Sequence, residues 1–221
     1  INIKSLMDLL LTRNTICINL NYIIHPTYFP NVAHFAGMLK ADRLYFEVCD
    51  NYQKQTYRNR TEIYGANGKL ALTVPVRFSQ KNRQLYKEIK IANENNWQKQ
   101  HLKSLQSAYS MSPFFEYYID DILPLFEKNF DYILDFNLQC FEVLKGSLQL
   151  ELSPIHTLLF EKEPKDKSDL RVLVNRNYEN DTFQNYTQVF TEKHGFISNL
   201  SILDVVFNEG PNTELYLKKL N

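Results

Sequence analysis

Glycine is scarce. Six glycines in 221 residues leave no G-x-G-x-x-G and no G-x-x-x-x-G-K-[ST], so both glycine-dependent phosphate loops are excluded. Cysteine is scarce too. Cys17, Cys49 and Cys140 are far apart, form no C-x-x-C and are odd in number. That pattern fits a reducing compartment better than a disulfide framework. The five histidines form no H-x-x-x-H or H-E-x-x-H, so no metal site is expected, and no cofactor. No G-x-S-x-G elbow occurs. Neither sign of charge is in excess, with 25 basic against 25 acidic residues. The basic footprint of a non-specific nucleic-acid binder is therefore missing, and no nucleic-acid partner is expected. Apolar runs fall well short of the roughly 18–20 residues a membrane span needs. Residues 1–14 carry a Leu triplet, but Lys4, Asp8 and Arg13 interrupt it. They read as a leader or short helix, not a secretory signal, and the expected location is cytoplasmic.

What is abundant is apolar and aromatic material. Hydrophobic residues make up 44% of the chain and aromatics 14%, enough to build one sizeable core. Residues 15–20 are rich in β-branched residues and read as a first strand. Pro26 and Pro30 then argue for irregular structure. Asn31 is a good N-cap for a helix over 32–40. Residues 43–48 read as a second strand. Residues 61–76 read as a hairpin, with Asn67-Gly68 supplying the turn, and the alternation over 85–92 predicts a further strand. From residue 97 the apolar period becomes helical. Helices are expected over 97–109, from Ser112-Pro113 onward with Phe114, Tyr117, Tyr118, Ile122 and Leu125 facing inward, and over 130–148. Residues 161–169 read as a charged linker, and 198–207 as a capped helix ended by Gly210.

The expected class is mixed α/β. An N-terminal mixed sheet with a covering helix is followed by a mainly helical half. The expected divisions are 1–14, a core over 15–160, a charged linker over 161–185, and a strand–helix segment over 186–221.

Residues 49–60, CDNYQKQTYRNR, stand out. In twelve residues they hold Asp50, three cations (Lys54, Arg58, Arg60), two phenols (Tyr52, Tyr57) and three amides, with no Gly or Pro. Such a density of hydrogen-bonding groups at a strand end is where α/β proteins hold ligands. Arginine forks grip carboxylate or phosphate, and lysine adds a point charge. His101 lies one helical turn after Trp97, and Tyr109 two turns further on. The alternative for each is bland: a solvated loop whose arginines find local acids, and a half-buried histidine bonded to a carbonyl.

An ordered set of short motifs runs through most of the chain, roughly 15–210. They are Thr27-Tyr28-Phe29-Pro30, residues 49–60, Ala66-Asn67-Gly68, Leu72-Thr73-Val74-Pro75, and Trp97 with His101. Ser107-Ala108-Tyr109, residues 112–118, Asp135-Phe136-Asn137 and residues 201–204 follow. Together they resemble the WbqC-like family in its Bacteroides-type form. Tyr28 and Pro30 match the family's opening His-Gln-Pro-x-Tyr-x-Pro. His25 stands one residue too close to Tyr28, and the Gln is absent, so no role carries onto His25. Tyr52, Lys54, Asn59 and Arg60 match the Tyr-x-Lys and Asn-Arg pattern. The resemblance implies surface-polysaccharide biosynthesis of the O-antigen kind. It further implies a transferase acting on a nucleotide-linked amino sugar or an acyl or aminoacyl donor.

On this reading His101 and Asp50 are the catalytic candidates. Tyr28, Tyr52, Lys54, Tyr57, Arg58, Asn59, Arg60 and Tyr109 bind an anionic or sugar-containing small molecule. The cleft is expected between residues 25–30, 50–60 and 97–116. The alternative function is a non-catalytic scaffold of a glycan-synthesis assembly.

Overall fold

The computed structural model describes residues 20–79, 83–176 and 183–220. Strand β1 (Asn21–Ile24), helix α1 (Val32–Leu39) and strand β2 (Arg43–Phe46) form a β-α-β unit whose strands are parallel, with Asn21 opposite Arg43 and Ile24 opposite Phe46. The Asn31 side chain accepts from the His34 N–H at 2.9 Å and starts α1, as an N-cap should. Residues 15–19 of the expected first strand lie outside the described residues. The first described strand lies just beyond that span, and its Ile23 and Ile24 belong to the stretch up to Pro30 expected to be irregular; Pro26 then removes a backbone donor.

Strands β3 (Arg60–Gly65) and β4 (Gly68–Thr73) form the expected hairpin. Its bend differs from expectation. Gly65 pairs with Gly68, so Ala66 and Asn67 turn the chain, and Gly68 alone takes a positive φ, 97°. Strands β5 (Val76–Arg77) and β6 (Lys90–Ile91) make a separate antiparallel pair. The strand expected over 85–92 is mostly absent. Tyr86–Glu88 is a 3₁₀ turn, with the Glu88 carboxylate accepting from the Leu85 N–H. A strand would send Tyr86 and Ile89 to opposite faces. Both are completely buried, and a turn of three residues places them on one side.

Helices α2 (Trp97–Tyr109), α3 (Phe115–Glu127) and α4 (Ile133–Ser147) follow. The inner face of α3 is Phe115, Tyr118, Ile122, Leu125 and Phe126. Tyr117, expected inside, is 70% exposed, because one residue is about 100° of rotation from the 118-122-125 stripe. The inner face of α4 is as expected, with Ile133, Leu134, Asn137, Phe141 and Leu144 all buried.

The chain then returns to the first sheet. Strand β7 (Ile155–His156) pairs with β2, and β8 (Ser168–Asp169) pairs with β1. The result is a four-stranded parallel sheet in the order β7-β2-β1-β8. The mixed α/β class holds, but this sheet is wholly parallel and takes two strands from beyond residue 150. The stretch expected as a charged linker supplies β8 and a 3₁₀ turn, Arg171–Val174, whose Arg171, Leu173 and Val174 are buried. Helices α5 (Thr191–His194), α6 (Ile202–Glu209) and α7 (Thr213–Lys219) complete the described chain. Helix α6 buries Ile202, Leu203, Val205, Val206 and Phe207 to 1% exposure or less. It is therefore a core helix and not an amphipathic cover. Gly210 ends it with φ 53°, and a Cβ there would sit 2.5 Å from the Phe114 ring. Among the described residues no helix is long and apolar enough to cross a membrane.

Candidate functional site

Strands of a parallel sheet deliver their following loops to one edge, the carboxyl edge, where open α/β sheets bind ligands. Here β1 runs into His25 and β2 into Glu47 and Asp50. The Arg58 guanidinium donates to Asp50 Oδ2 at 2.9 Å. His25 Nε2 lies 2.9 Å from the same oxygen and 2.7 Å from Arg58 Nη2. One imidazole nitrogen cannot both donate to Asp50 and accept from Arg58. With Nε2 protonated, two donors converge on one carboxylate oxygen, and this tautomer satisfies the charged group. It leaves Nδ1 as the bare nitrogen, and Nδ1 is buried with no partner among the described residues. Burial, then the Arg58 charge, lowers the His25 pKa to about 3, so the ring is neutral. Burial alone would raise Asp50, but the His25 hydrogen bond and the charges of the triangle hold its carboxyl below the usual range.

This triangle is nearly dry, with His25 2%, Asp50 8% and Arg58 0% exposed. It is braced from behind. Asn137 on α4 donates to the Arg58 carbonyl at 2.6 Å and contacts the Tyr86 hydroxyl, which donates to the Pro26 carbonyl at 2.7 Å. Beside it, the Glu47 carboxylate accepts from the Cys49 N–H and the Thr157 hydroxyl and faces Arg171, which also grips Asp169. These buried pairs organise the carboxyl edge; they add little net stability over apolar packing.

The open cleft lies next to this network. Its volume is about 280 Å³, and Tyr52, Lys54, Asn59, Arg60, Thr73 and Phe78 are among its lining residues. The Arg60 guanidinium has no hydrogen-bond or ion-pair partner among the described residues, and its Nε is buried. Asn59 donates to the Val74 carbonyl at 2.9 Å, while its own Oδ1 is buried and unpaired. Lys54 Nζ stands 4.9 Å above the Phe78 ring, and the Tyr52 ring lies 5.2 Å from the same ring. Burial, offset in part by Arg58 and Arg60, raises the Tyr52 pKa to about 12, so its hydroxyl is neutral. Gln55, also on the lining, holds φ at 59°, a conformation that non-glycine residues keep only under constraint. Among the described residues no acidic side chain lines this cleft. Two free cations, two aromatic rings and an unfilled amide acceptor suit an anion carrying a ring or hydroxyls.

Of the residues expected to form the site, Tyr52, Lys54, Asn59 and Arg60 come together in this cleft. Arg58 and Asp50 belong to the buried triangle. His101 and Tyr28 form a separate buried pair, with the Tyr28 hydroxyl 2.9 Å from His101 Nδ1. His101 is also bonded to the Thr73 backbone, and burial lowers its pKa to about 4. With its ring so engaged, it offers the cleft no base. Tyr57 is buried and bonded to Asn31. Tyr109 accepts from the Tyr64 N–H at 3.0 Å and bonds to Asp204. The cleft is accordingly bounded by 52–60 and 73–78, and α2 packs behind the hairpin that carries Thr73. His25 and Phe78 were missed. His25 had the wrong spacing for the family histidine, and Phe78 lay beyond the polar segment. Among the described residues no three His, Cys, Asp or Glu side chains are placed to hold a metal ion.

A four-stranded parallel sheet, with a buried charge triangle at its carboxyl edge and a cleft beside it, makes this a mixed α/β protein. Residues 25–185 match the WbqC-like protein family. That span is well over half of the chain, and the protein belongs to this family. The chain matches no curated protein and no solved structure.

Proposed function

We propose that the protein is a cytoplasmic transferase of surface-polysaccharide biosynthesis. Its cleft takes a nucleotide-linked amino sugar or an acyl or aminoacyl donor, that is, an anionic substrate with a ring or hydroxyls. One observation carries the reading: Arg60 and Lys54 stand in the cleft with no counter-ion among the described residues. An arginine whose Nε is already stripped of water gains most from a bidentate phosphate or carboxylate. Phe78 and Tyr52 give a ring or sugar an apolar wall, and the neutral Tyr52 hydroxyl adds a donor. A carboxylate held below its normal range is a weak base. Asp50 therefore serves by fixing Arg58 and the loop that carries Lys54 and Arg60.

The test is a thermal-shift and calorimetric screen against nucleotide sugars, free nucleotides, acyl-CoAs and phosphosugars. A ligand at about 100 times its Kd adds about 2.7 kcal/mol, which for a chain of this size raises Tm by roughly 5–10 °C. The shift is expected to vanish in Arg60→Ala and shrink in Lys54→Ala, with the unliganded Tm of both unchanged. Binding undiminished in Arg60→Ala would sink the reading. The second reading, a non-catalytic scaffold, is favoured by one feature, the exposed Leu158 and Leu159, and it predicts no shift with any of these ligands.

A further inference from the structure

The far side of the parallel sheet offers a different kind of surface. Strand β7 is its edge, only two residues long, which leaves little backbone to pair with, so a contact there has to come from side chains. Ile155, Leu158 and Leu159 are 48%, 91% and 78% exposed. With Ile23 and Tyr45 they line a groove of about 440 Å³. No described helix of the chain lines this groove, whereas parallel sheets normally have both faces covered. Adjacent exposed leucines of this size mark a contact surface more often than a solvated loop.

The segment that follows says what the contact is. Residues 161–167 read Glu, Lys, Glu, Pro, Lys, Asp, Lys. The charges are antisymmetric about Pro164: 162 opposes 166 and 163 opposes 165, while the outermost pair, Glu161 and Lys167, already meets within the chain at 3.9 Å. Within the chain, the side chains of Lys162, Glu163, Lys165 and Asp166 have no partner among the described residues, and all four are exposed. A two-fold axis near Pro164 brings Lys162 against the partner's Asp166 and Glu163 against the partner's Lys165. A self-complementary patch of this kind is what an isologous dimer requires.

We infer that the β7 edge and the loop after it, residues 155–167, form a homodimer contact. Leu158 and Leu159 supply the buried apolar centre. The charges set the antiparallel orientation more than the affinity, since rim ion pairs are each worth little. A second copy satisfies both the apolar groove and the charge pattern. A differently charged partner would have to reproduce this alternation by coincidence.

Sedimentation equilibrium and light scattering of the purified protein over about 1–200 µM test this, a range that covers micromolar dimers. Dimerisation is expected, weakened at least about 10-fold by Leu158→Glu. Leu158 is already exposed, so the Tm of that variant should stay within a few degrees of wild type. The pair Lys162→Glu/Lys165→Glu is expected to be monomeric alone, and so is Glu163→Lys/Asp166→Lys. A mixture of the two should form heterodimers, because each supplies the charges the other lacks. Wild-type protein that stays monomeric throughout would overturn the inference. A dimer indifferent to Leu158→Glu, or charge variants that fail to complement, would overturn it as well. None of these readouts depends on ligand binding in the Arg60 cleft.

Discussion

Three buried neutral histidines make acid the sharpest probe of this fold. His25, His34 and His101 are 2%, 0% and 6% exposed. Burial lowers their pKa values from 6.5 to about 3, 4 and 4. In each case the unfolded chain takes up a proton near pH 6.5 that the folded chain refuses until much lower pH. The unfolded state therefore binds more protons between about pH 6.5 and 4, and stability must fall as pH drops through that window. Each such group contributes up to about 1.4 kcal/mol per pH unit once the unfolded imidazole is mostly protonated. Asp204 acts in the opposite sense. Burial raises its pKa, so it can bind a proton in the folded state that the unfolded carboxyl has lost. It cancels at most one of the three. The net slope near pH 5.5 is then about 2.5–4 kcal/mol per pH unit, the lower figure if Asp204 cancels one ring in full. Against a total stability of about 5–15 kcal/mol, two pH units at this slope remove at least about a third of it. Urea melts at pH 7.5, 6.5, 5.5 and 5.0 measure this slope. His34→Gln, which removes one titrating ring, should lower it by about a third. A midpoint that is flat from pH 7.5 to 5.0 would refute the reasoning, since it would mean that the three rings protonate as freely folded as unfolded.

Asp50→Ala strips the only carboxylate bonded to Arg58 among the described residues and leaves a charge buried at 0% exposure. A loss of about 3–5 kcal/mol is expected, read as a Tm drop of roughly 6–20 °C. Gly210→Ala forces a side chain into positive φ and against the Phe114 ring. It should cost about 1–3 kcal/mol in urea unfolding, with Gly146→Ala as a control because a Cβ there meets nothing. On α3, Tyr117→Ser should leave stability within about 0.5 kcal/mol. Its neighbour Tyr118→Ser, buried at 3% exposure, should lose several times that.

The sequence by itself determined what neighbouring residues settle among themselves. Asn31 caps α1 because its donor is three residues away. The stripe from Ile133 to Leu144 specifies α4 because period 3.6 puts those residues on one face. The density of polar groups over 49–60 is local too, and four of them, Tyr52, Lys54, Asn59 and Arg60, line one cleft. What the tertiary structure decided is which polar groups stay wet. Lys54, Arg58 and Arg60 look alike along the chain, yet Arg58 is fully buried and Arg60 is free. That sorting is made by Asp50 and His25, which reach Arg58 only when β1 and β2 align in parallel. His101 lost its expected role because Tyr28, 73 residues away, occupies it. Strands β7 and β8 are two residues each and carry no pattern of their own. They exist only because β2 and β1 present unpaired edges to them. Caps and periods are fixed by interactions over a few residues. A buried charge requires a partner that chain closure alone can bring.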